Sequence, residues 1–417
     1  MMKIGYFIPE FPGQTHIFMW REISYLREWG ADINIFSTRR PPVAERARHL
    51  FAETAIRETY YLWPQNPIYL LSTFVWTIFN YPKGFVQMLK LCFTLELDAK
   101  PVWRQTLPLL LIAPVLARKA LKCDIQHLNC QSAASSAILC MLVKRLVGIP
   151  FSMVCNANLE WWGGAMSQKL SDAEFTVAVA NWIFDQIRSD YPTLKPQQVI
   201  MAHHGVDTEK WKPNEDLLKH VIKGKSDTFK VITVGRLHPS KGHDILIKSV
   251  KMLVDEGRKV DLKIIGAGSA KDSLISLIEE LEITDFVTLA GSLSEDQIIN
   301  IMSESDAFVL ASHAEPLGVV YMEAMAMGLP TIGINAGGVP EIITHQADGL
   351  LVPPQDEMAL KEAIERLMDK PNLRQTLSIM GRKKVVEKFD CRVGAKTLYE
   401  RLYGTSPIPT GKKLDQA

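Results

Sequence analysis

The sequence predicts an α/β protein of two doubly wound domains, and three observations predict it. Strand, glycine-bearing loop and helix follow one another from the start of the chain. Lys3–Ile8 is an apolar run, Pro9–His16 is rich in turn formers, and an amphipathic helix runs through Glu22, Leu26 and Trp29 to Gly30. The same alternation begins afresh after the polar stretch Asp207–Asp227: strand Lys230–Val234, helix Asp244–Glu256, strand Asp261–Ile265, helix Lys271–Leu281, strand Phe286–Leu289. At 417 residues, finally, the chain exceeds the roughly 250–300 at which a single core stops growing.

The remaining elements of the first half fit this reading. Asp32–Ser37, Asp124–Leu128, Pro150–Cys155 and Phe175–Val179 read as strands, with a helix over Ala133–Leu146. The predicted division is 1–204 and 205–390, with a helix at Cys391–Tyr403 returning to the first domain and a disordered tail from Ser406. Open α/β sheets bind ligands beyond the carboxyl ends of their strands, so the two domains are expected to face each other across a ligand-binding cleft.

A hydrophobic fraction of 47% and a charged fraction of 22% are those of an ordinary folded protein, and a net charge of +1 gives no reason to expect nucleic acid as a partner. The six cysteines form no CxxC pair and lie in apolar surroundings, which reads as reduced thiols in a cytoplasmic protein. Met1–Ile8 lacks the pattern of a signal peptide.

The most informative stretch is Glu315–Pro330. Asp306–Leu310 reads as a buried strand, and Val319–Met327 as a helix closed by Gly328 and Pro330. Glu315 then stands on the loop and Glu323 on the helix. A helix opening at Leu317, Gly318 and Val319 aims unpaired N–H groups and a partial positive charge at whatever lies before it, which suits a diphosphate; Glu323 could accept hydrogen bonds from ribose hydroxyls. Arg236 and Lys241 follow the first strand of the second domain, where a guanidinium and an ammonium could neutralise that diphosphate. Gly266 and Gly268 follow the next strand; the third glycine of a dinucleotide fingerprint is replaced by Lys271, so a tight turn beside a nucleotide is the better reading. No Asp-x-Asp or His-rich ligand set stands at a strand end, and neither metal nor cofactor is expected.

These motifs, Val234-Gly235-Arg236-Leu237 with Lys241-Gly242, Ile265-Gly266-Ala267-Gly268, Glu315–Pro330 and Gly337-Gly338-Val339-Pro340-Glu341, stand in one order that closely resembles the retaining glycosyltransferases of family 4, of the GT-B type. In the first half, Phe11–Phe18 resembles the acceptor-side loop of the exopolysaccharide and colanic-acid members. The resemblance implies transfer from a nucleoside-diphosphate sugar to a glycan or lipid-linked acceptor, by a front-face displacement in which the departing diphosphate helps deprotonate the acceptor. Glu315, Arg236, Lys241 and Asn156 would then be the catalytic set, with Glu315 near the donor sugar. Gly13 would let the loop backbone approach the diphosphate or the acceptor without a side chain in the way.

The first domain departs from the pattern. Asn156 stands where the family commonly carries a histidine, and an amide can hydrogen-bond a sugar but not exchange a proton. His16 and His127 are assigned to the acceptor side, with Asn129 in the second position of a common His-x-His. A catalytically silent nucleotide-sugar-binding partner and a nucleotide-sugar epimerase therefore stand as alternatives.

Thr59–Pro82 carries no charge and is rich in aromatics. Pro64 and Pro67 leave Ile68–Tyr81, shorter than the roughly 20 residues of a membrane span. With Lys83, Lys90, Lys100, Arg104, Arg118, Lys119 and Lys122 opposed only by Glu96 and Asp98, residues 60–122 read as a peripheral contact with anionic lipid at the inner face of the membrane, or else as a buried helical insertion.

Overall fold

The computed structural model describes residues 2–13, 16–42, 51–98, 100–213 and 227–405. Gln14, Thr15 and the tail read as disordered lie outside the described residues. The chain divides into two compact units, 1–203 with 395–417, and 204–394.

The first unit runs β1 (Lys3–Glu10), α1 (Ile17–Glu28), β2 (Asp32–Arg39), α2 (Phe51–Glu58), β3 (Thr59–Trp63), α3 (Pro67–Asn80), α4 (Pro82–Thr94), α5 (Trp103–Lys122), β4 (His127–Cys130), α6 (Ser135–Val147), β5 (Phe151–Cys155), α7 (Met166–Asp172), β6 (Phe175–Ala178), α8 (Asn181–Asp190) and β7 (Val199–Met201). Its seven strands are parallel, in the order β3-β2-β1-β4-β5-β6-β7. Helices cover both faces of such a sheet, which is why β5 is buried along its whole length and why its sequence is apolar without alternation. The sheet continues past Phe175–Val179 to β7, and begins with β3 inside the uncharged segment.

The second unit runs β8 (Phe229–Val234), α9 (His243–Asp255), β9 (Val260–Ile265), α10 (Lys271–Glu280), β10 (Val287–Gly291), α11 (Glu295–Met302), β11 (Ala307–Val309), α12 (Val319–Ala326), β12 (Thr331–Ile334), α13 (Val339–Ile342), β13 (Leu350–Val352), α14 (Glu357–Asp369) and α15 (Pro371–Lys388). Its strands are parallel in the order β10-β9-β8-β11-β12-β13. Val231, Leu246, Leu262, Ile264 and Ile364 are among the side chains of its core.

Both sheets reverse their strand order next to their first strand, at β1/β4 and at β8/β11. The loops leaving those strands at their carboxyl ends diverge to opposite faces and leave a crevice, where open α/β sheets take ligands. The last helix, α16 (Cys391–Tyr403), completes the first unit: Tyr399 sets its ring edge-on against Trp29 at 5.9 Å and donates to the Trp29 carbonyl, and the Tyr403 hydroxyl donates to the Met2 carbonyl at 3.0 Å.

Between β3 and β4, helices α3, α4 and α5 form an insertion in which α4 and α5 pack on α6 and α3 packs on α5. Pro108 and Pro114 lie inside α5, which continues through both. Helix α3 is inside-out. Its buried residues are Thr73 and Thr77, whose hydroxyls are satisfied by the carbonyls of Tyr69 and Thr73, whereas Ile68, Leu71, Val75, Ile78 and Phe79 are exposed, Ile68 and Phe79 by 77% and 79%. Trp103, Leu107 and Leu111 make a similar exposed row on α5. No helix of the described residues is long and apolar enough to cross a membrane.

Candidate functional site

The reversal at β8/β11 brings together the two loops that carry Arg236, Lys241 and Glu315. After β8 the chain forms a turn over Gly235–His238 and a single 3-10 turn at Pro239–Lys241, before Gly242 opens α9 in the left-handed region at φ +61°. A side chain at Gly242 would collide with the Ala311 carbonyl oxygen of the loop after β11. That close approach, with the His313 N–H donating to the Ser240 carbonyl at 2.9 Å, fixes the two loops to each other. Lys241 Nζ consequently meets Glu315 Oε1 in a direct ion pair, and Ser312 Oγ donates to the same carboxylate oxygen at 2.7 Å. Glu315 is 7% exposed and the Lys241 side chain 17%, so this pair is held largely out of water.

Two further loops brace the pair. Gly337, at φ +59°, and Gly338 lay their backbone against Glu315 and Pro316 so closely that a Cβ on either would strike a carbonyl oxygen, and the Gly338 N–H donates to the Glu315 carbonyl at 2.8 Å. On the other side, Gly266 and Gly268 approach the carbonyls of Gly235 and Leu237, with Leu237 N–H donating to Ala267 O and Ala270 N–H to Leu237 O. These glycines thus hold the Arg236 turn by backbone contact.

The Arg236 side chain is exposed, while its carbonyl accepts from His238 N–H and faces His243 Nε2 at 3.2 Å. His243 is 2% exposed, and burial pushes its pKa down to about 4; it is the neutral imidazole, donating through Nε2–H, that braces this turn.

Helix α12 begins at Gly318, in the left-handed region at φ +96°, where a Cβ would press on the Tyr321 ring. Tyr321 is fully buried, donates to the Leu310 carbonyl at 2.8 Å and packs edge-on against Phe308, anchoring the helix to β11. Leu317, Gly318 and Val319 therefore stand at its amino end, next to Glu315, with Glu323 half-buried beyond the first turn. Helix start, carboxylate, ammonium and guanidinium lie on neighbouring loops at one sheet edge, an arrangement that matches an anionic ligand with hydroxyl groups.

In the first unit Gly13 and His16 are in contact. The Gly13 N–H donates to His16 Nδ1 at 3.0 Å, the His16 N–H donates to the Gly13 carbonyl, and the imidazole stacks on Phe11. Burial takes the His16 pKa down to about 4, outweighing the opposing influence of Glu10. Asn156 follows β5 at the carboxyl edge, half-buried, ahead of the single turn Leu159–Trp162 that Asn158 caps.

His127 is placed differently from its assignment to the acceptor side. It is the first residue of β4, at the amino edge of the sheet and 3% exposed, with Nε2 2.8 Å from Ser152 Oγ, Nδ1 3.4 Å from Glu174 and the ring stacked on Phe175. Asn129 donates to the same Ser152 hydroxyl and accepts from Gln131, which reaches Glu22, itself bonded to Tyr6. This is an internal polar network linked from side chain to side chain, with Gln131 Oε1 left without a partner among the described residues. Burial raises the Glu22 pKa to about 7, against the lowering influence of Tyr6 and Gln131.

Sequence reasoning missed Ser312 and His243; a serine three residues before Glu315 was an available signal.

Residues 215–384 match the family model described as Glycosyl transferases group 1. That match lies within the second unit and covers less than half of the chain. Among curated proteins, the chain is 34% identical to the lipopolysaccharide core biosynthesis glycosyltransferase LpsD of Rhizobium meliloti, over 43% of this chain and 50% of that protein, so the match spans half of its length. It is 22% identical to the amylovoran biosynthesis glycosyltransferase AmsK of Erwinia amylovora, over 96% of this chain and 99% of that protein. Among solved structures, Anabaena Alr3699/HepE in complex with UDP and glucose superposes with a TM-score of 0.72 at 15% identity, covering 97% of this chain and all of that one. Sucrose-phosphate synthase from Thermosynechococcus elongatus gives 0.72 at 19%, over 97% and 100%. The two units thus have the GT-B fold of two Rossmann-like α/β units.

Proposed function

We propose that the chain is a retaining glycosyltransferase that moves a sugar from a nucleoside-diphosphate donor to a polysaccharide or lipid-linked acceptor. The observation that carries this reading is the Lys241–Glu315 ion pair, set between the Arg236 turn and the start of α12 and braced by three glycine loops. Lys241 keeps two N–H donors beyond the one given to Glu315, and with Arg236 they supply the positive charge that a departing diphosphate needs. The N–H groups of Leu317, Gly318 and Val319 add to that charge, Glu323 takes the ribose, and Glu315 faces the donor sugar. No metal is assigned to this step. Gly13 and His16 belong to the acceptor side, where Asn156 binds a hydroxyl as donor and acceptor while the departing diphosphate takes the proton. HepE, solved with UDP and glucose, makes uridine diphosphate sugars the first donors to try. The exposed apolar rows of α3 and α5, with the lysines of 83–122, support peripheral contact with the inner face of an anionic membrane.

Thermal unfolding with uridine, guanosine and adenosine diphosphate sugars tests the donor site. A true donor at about 100 times its Kd contributes ~2.7 kcal/mol and raises the melting temperature. Turnover is tested with the same donors and a membrane extract as acceptor. Glu315→Ala is expected to abolish transfer, and a variant that still transfers sugar normally would remove Glu315 from the mechanism.

A further inference from the structure

Building on the membrane reading above, we propose that the loop after β5, Asn156–Ala165, docks on the same anionic bilayer as α3 and α5, with Trp161 in the headgroup layer, so that the acceptor is met at the bilayer surface. The connector between α4 and α5 is tied to this loop. Ala165 N–H donates to the Glu96 carbonyl at 2.6 Å, Asp98 N–H to the Gly163 carbonyl at 3.3 Å, and Leu97 and Gly164 pair as an antiparallel bridge. Gln168 closes the clip from α7, its Oε1 accepting from Glu96 N–H at 3.0 Å and its Nε2 donating to the Thr94 carbonyl at 2.7 Å. Gly164, at φ +83°, permits this approach, since a Cβ there would lie 2.7 Å from both Glu96 O and Asp98 N.

The loop is rigid at its root. Lys169, fully buried, donates from Nζ to the Trp162 carbonyl at 2.8 Å, and Asn158 caps the turn by accepting from Glu160 N–H. Displacing the connector must therefore displace the loop. What the clip joins is aromatic and exposed: Phe93 precedes the connector, Trp103 follows it, and Trp161, two residues before the clip, is 67% exposed. Tryptophan suits the headgroup region, where an apolar ring body and a polar N–H are both satisfied. The occupant is a bilayer rather than an acidic protein because α3 carries no charge at all while exposing an apolar row. The surrounding exposed charges are Lys83, Lys90, Lys100 and Arg104 against Glu96, Asp98 and the loop's own Glu160, a small basic excess that complements anionic lipid.

Amide hydrogen exchange of the full chain, with and without phosphatidylethanolamine–phosphatidylglycerol vesicles, tests this without donor or acceptor. Vesicles are expected to slow exchange about tenfold in both α3 and residues 158–165, an effect on opening equilibria that exchange reports directly. Gln168→Ala should keep vesicle binding but lose the slowing at 158–162. Trp161→Ser should weaken vesicle sedimentation about tenfold at an unchanged melting temperature, a size in keeping with an interfacial aromatic anchor. Slowing in α3 with none at 158–165 would overturn the inference and leave the membrane contact standing. Failure to bind vesicles, or a dimer that buries α3 instead, would overturn both.

Discussion

Lys241 and Glu315 stand 74 positions apart in the chain, yet they form a direct ion pair at the centre of the candidate site. Each was legible by residue type and position at a strand end, whereas their pairing was not, because it depends on β8 and β11 becoming neighbours. A buried pair of this kind is strongly coupled: removing one partner leaves an uncompensated charge. Lys241→Met is expected to destabilise the second unit by about 3 kcal/mol in urea unfolding, and Lys241→Met with Glu315→Gln by clearly less than the sum of the two single changes. Additive single effects would mean that the pair is not coupled. His243 gives a second prediction. Its folded pKa of about 4 lies below the ordinary 6.5, with burial as the chief cause, Lys241 acting in the same direction and the Arg236 carbonyl and Asp244 opposing it. An imidazole kept neutral by folding contributes fully above pH 6.5, and its contribution is lost as pH falls towards 4, about 3 kcal/mol in all. His243→Gln should flatten that part of the second unit's stability profile in urea unfolding between pH 4.5 and pH 7, in steps of about half a unit.

At the scale of elements, the site is made by loops packed backbone to backbone. The sequence displays its glycines openly but not what each one touches. Gly257 and Gly337 both have positive φ, at +75° and +59°, yet a Cβ at Gly257 meets open space while one at Gly337 meets the Glu315 carbonyl. Gly257→Ala should therefore lower stability only by the left-handed penalty of about 1–2 kcal/mol and leave donor binding intact. Gly337→Ala should cost more and abolish the donor-induced rise in melting temperature. Equal effects of the two in thermal unfolding would refute the bracing role. The strands with clean apolar runs, such as Lys230–Val234, were readable by pattern, and α16 was placed at its observed bounds. Strand β3 was not, because Thr59–Trp63 opens an uncharged aromatic stretch whose helical continuation dominates the local signal. The short strands β12 and β13, four and three residues long, offer too few positions for any period to show.

At the scale of the whole molecule, two parallel sheets with a reversal beside the first strand were foreshadowed by the repeated alternation of strand and helix. Strand order was not, since it is decided by pairing across long stretches of chain. His127 shows the limit most plainly. Beside a motif-like Asn129 it looked like a ligand-side residue, but the register of β4 against β1 puts it at the amino edge of the sheet. Within the second unit, its first and last segments lie side by side: Val206 bridges Asp390, Cys391 N–H donates to the Val206 carbonyl, and the Asp390 carboxylate accepts from Thr208 and Arg392. Beyond them, α16 belongs to the first unit, where Ala395, Leu398 and Tyr399 are buried. This has a consequence for biosynthesis. A chain leaving the ribosome has most of its first unit made early, but lacks the helix that seals Trp29 until residues 391–403 emerge, whereas the second unit is continuous and precedes nearly all of that helix. Folding order should run opposite to synthesis order. A nascent chain stalled after Asp390 is expected to hold a protease-resistant second unit beside a first unit still open to cleavage.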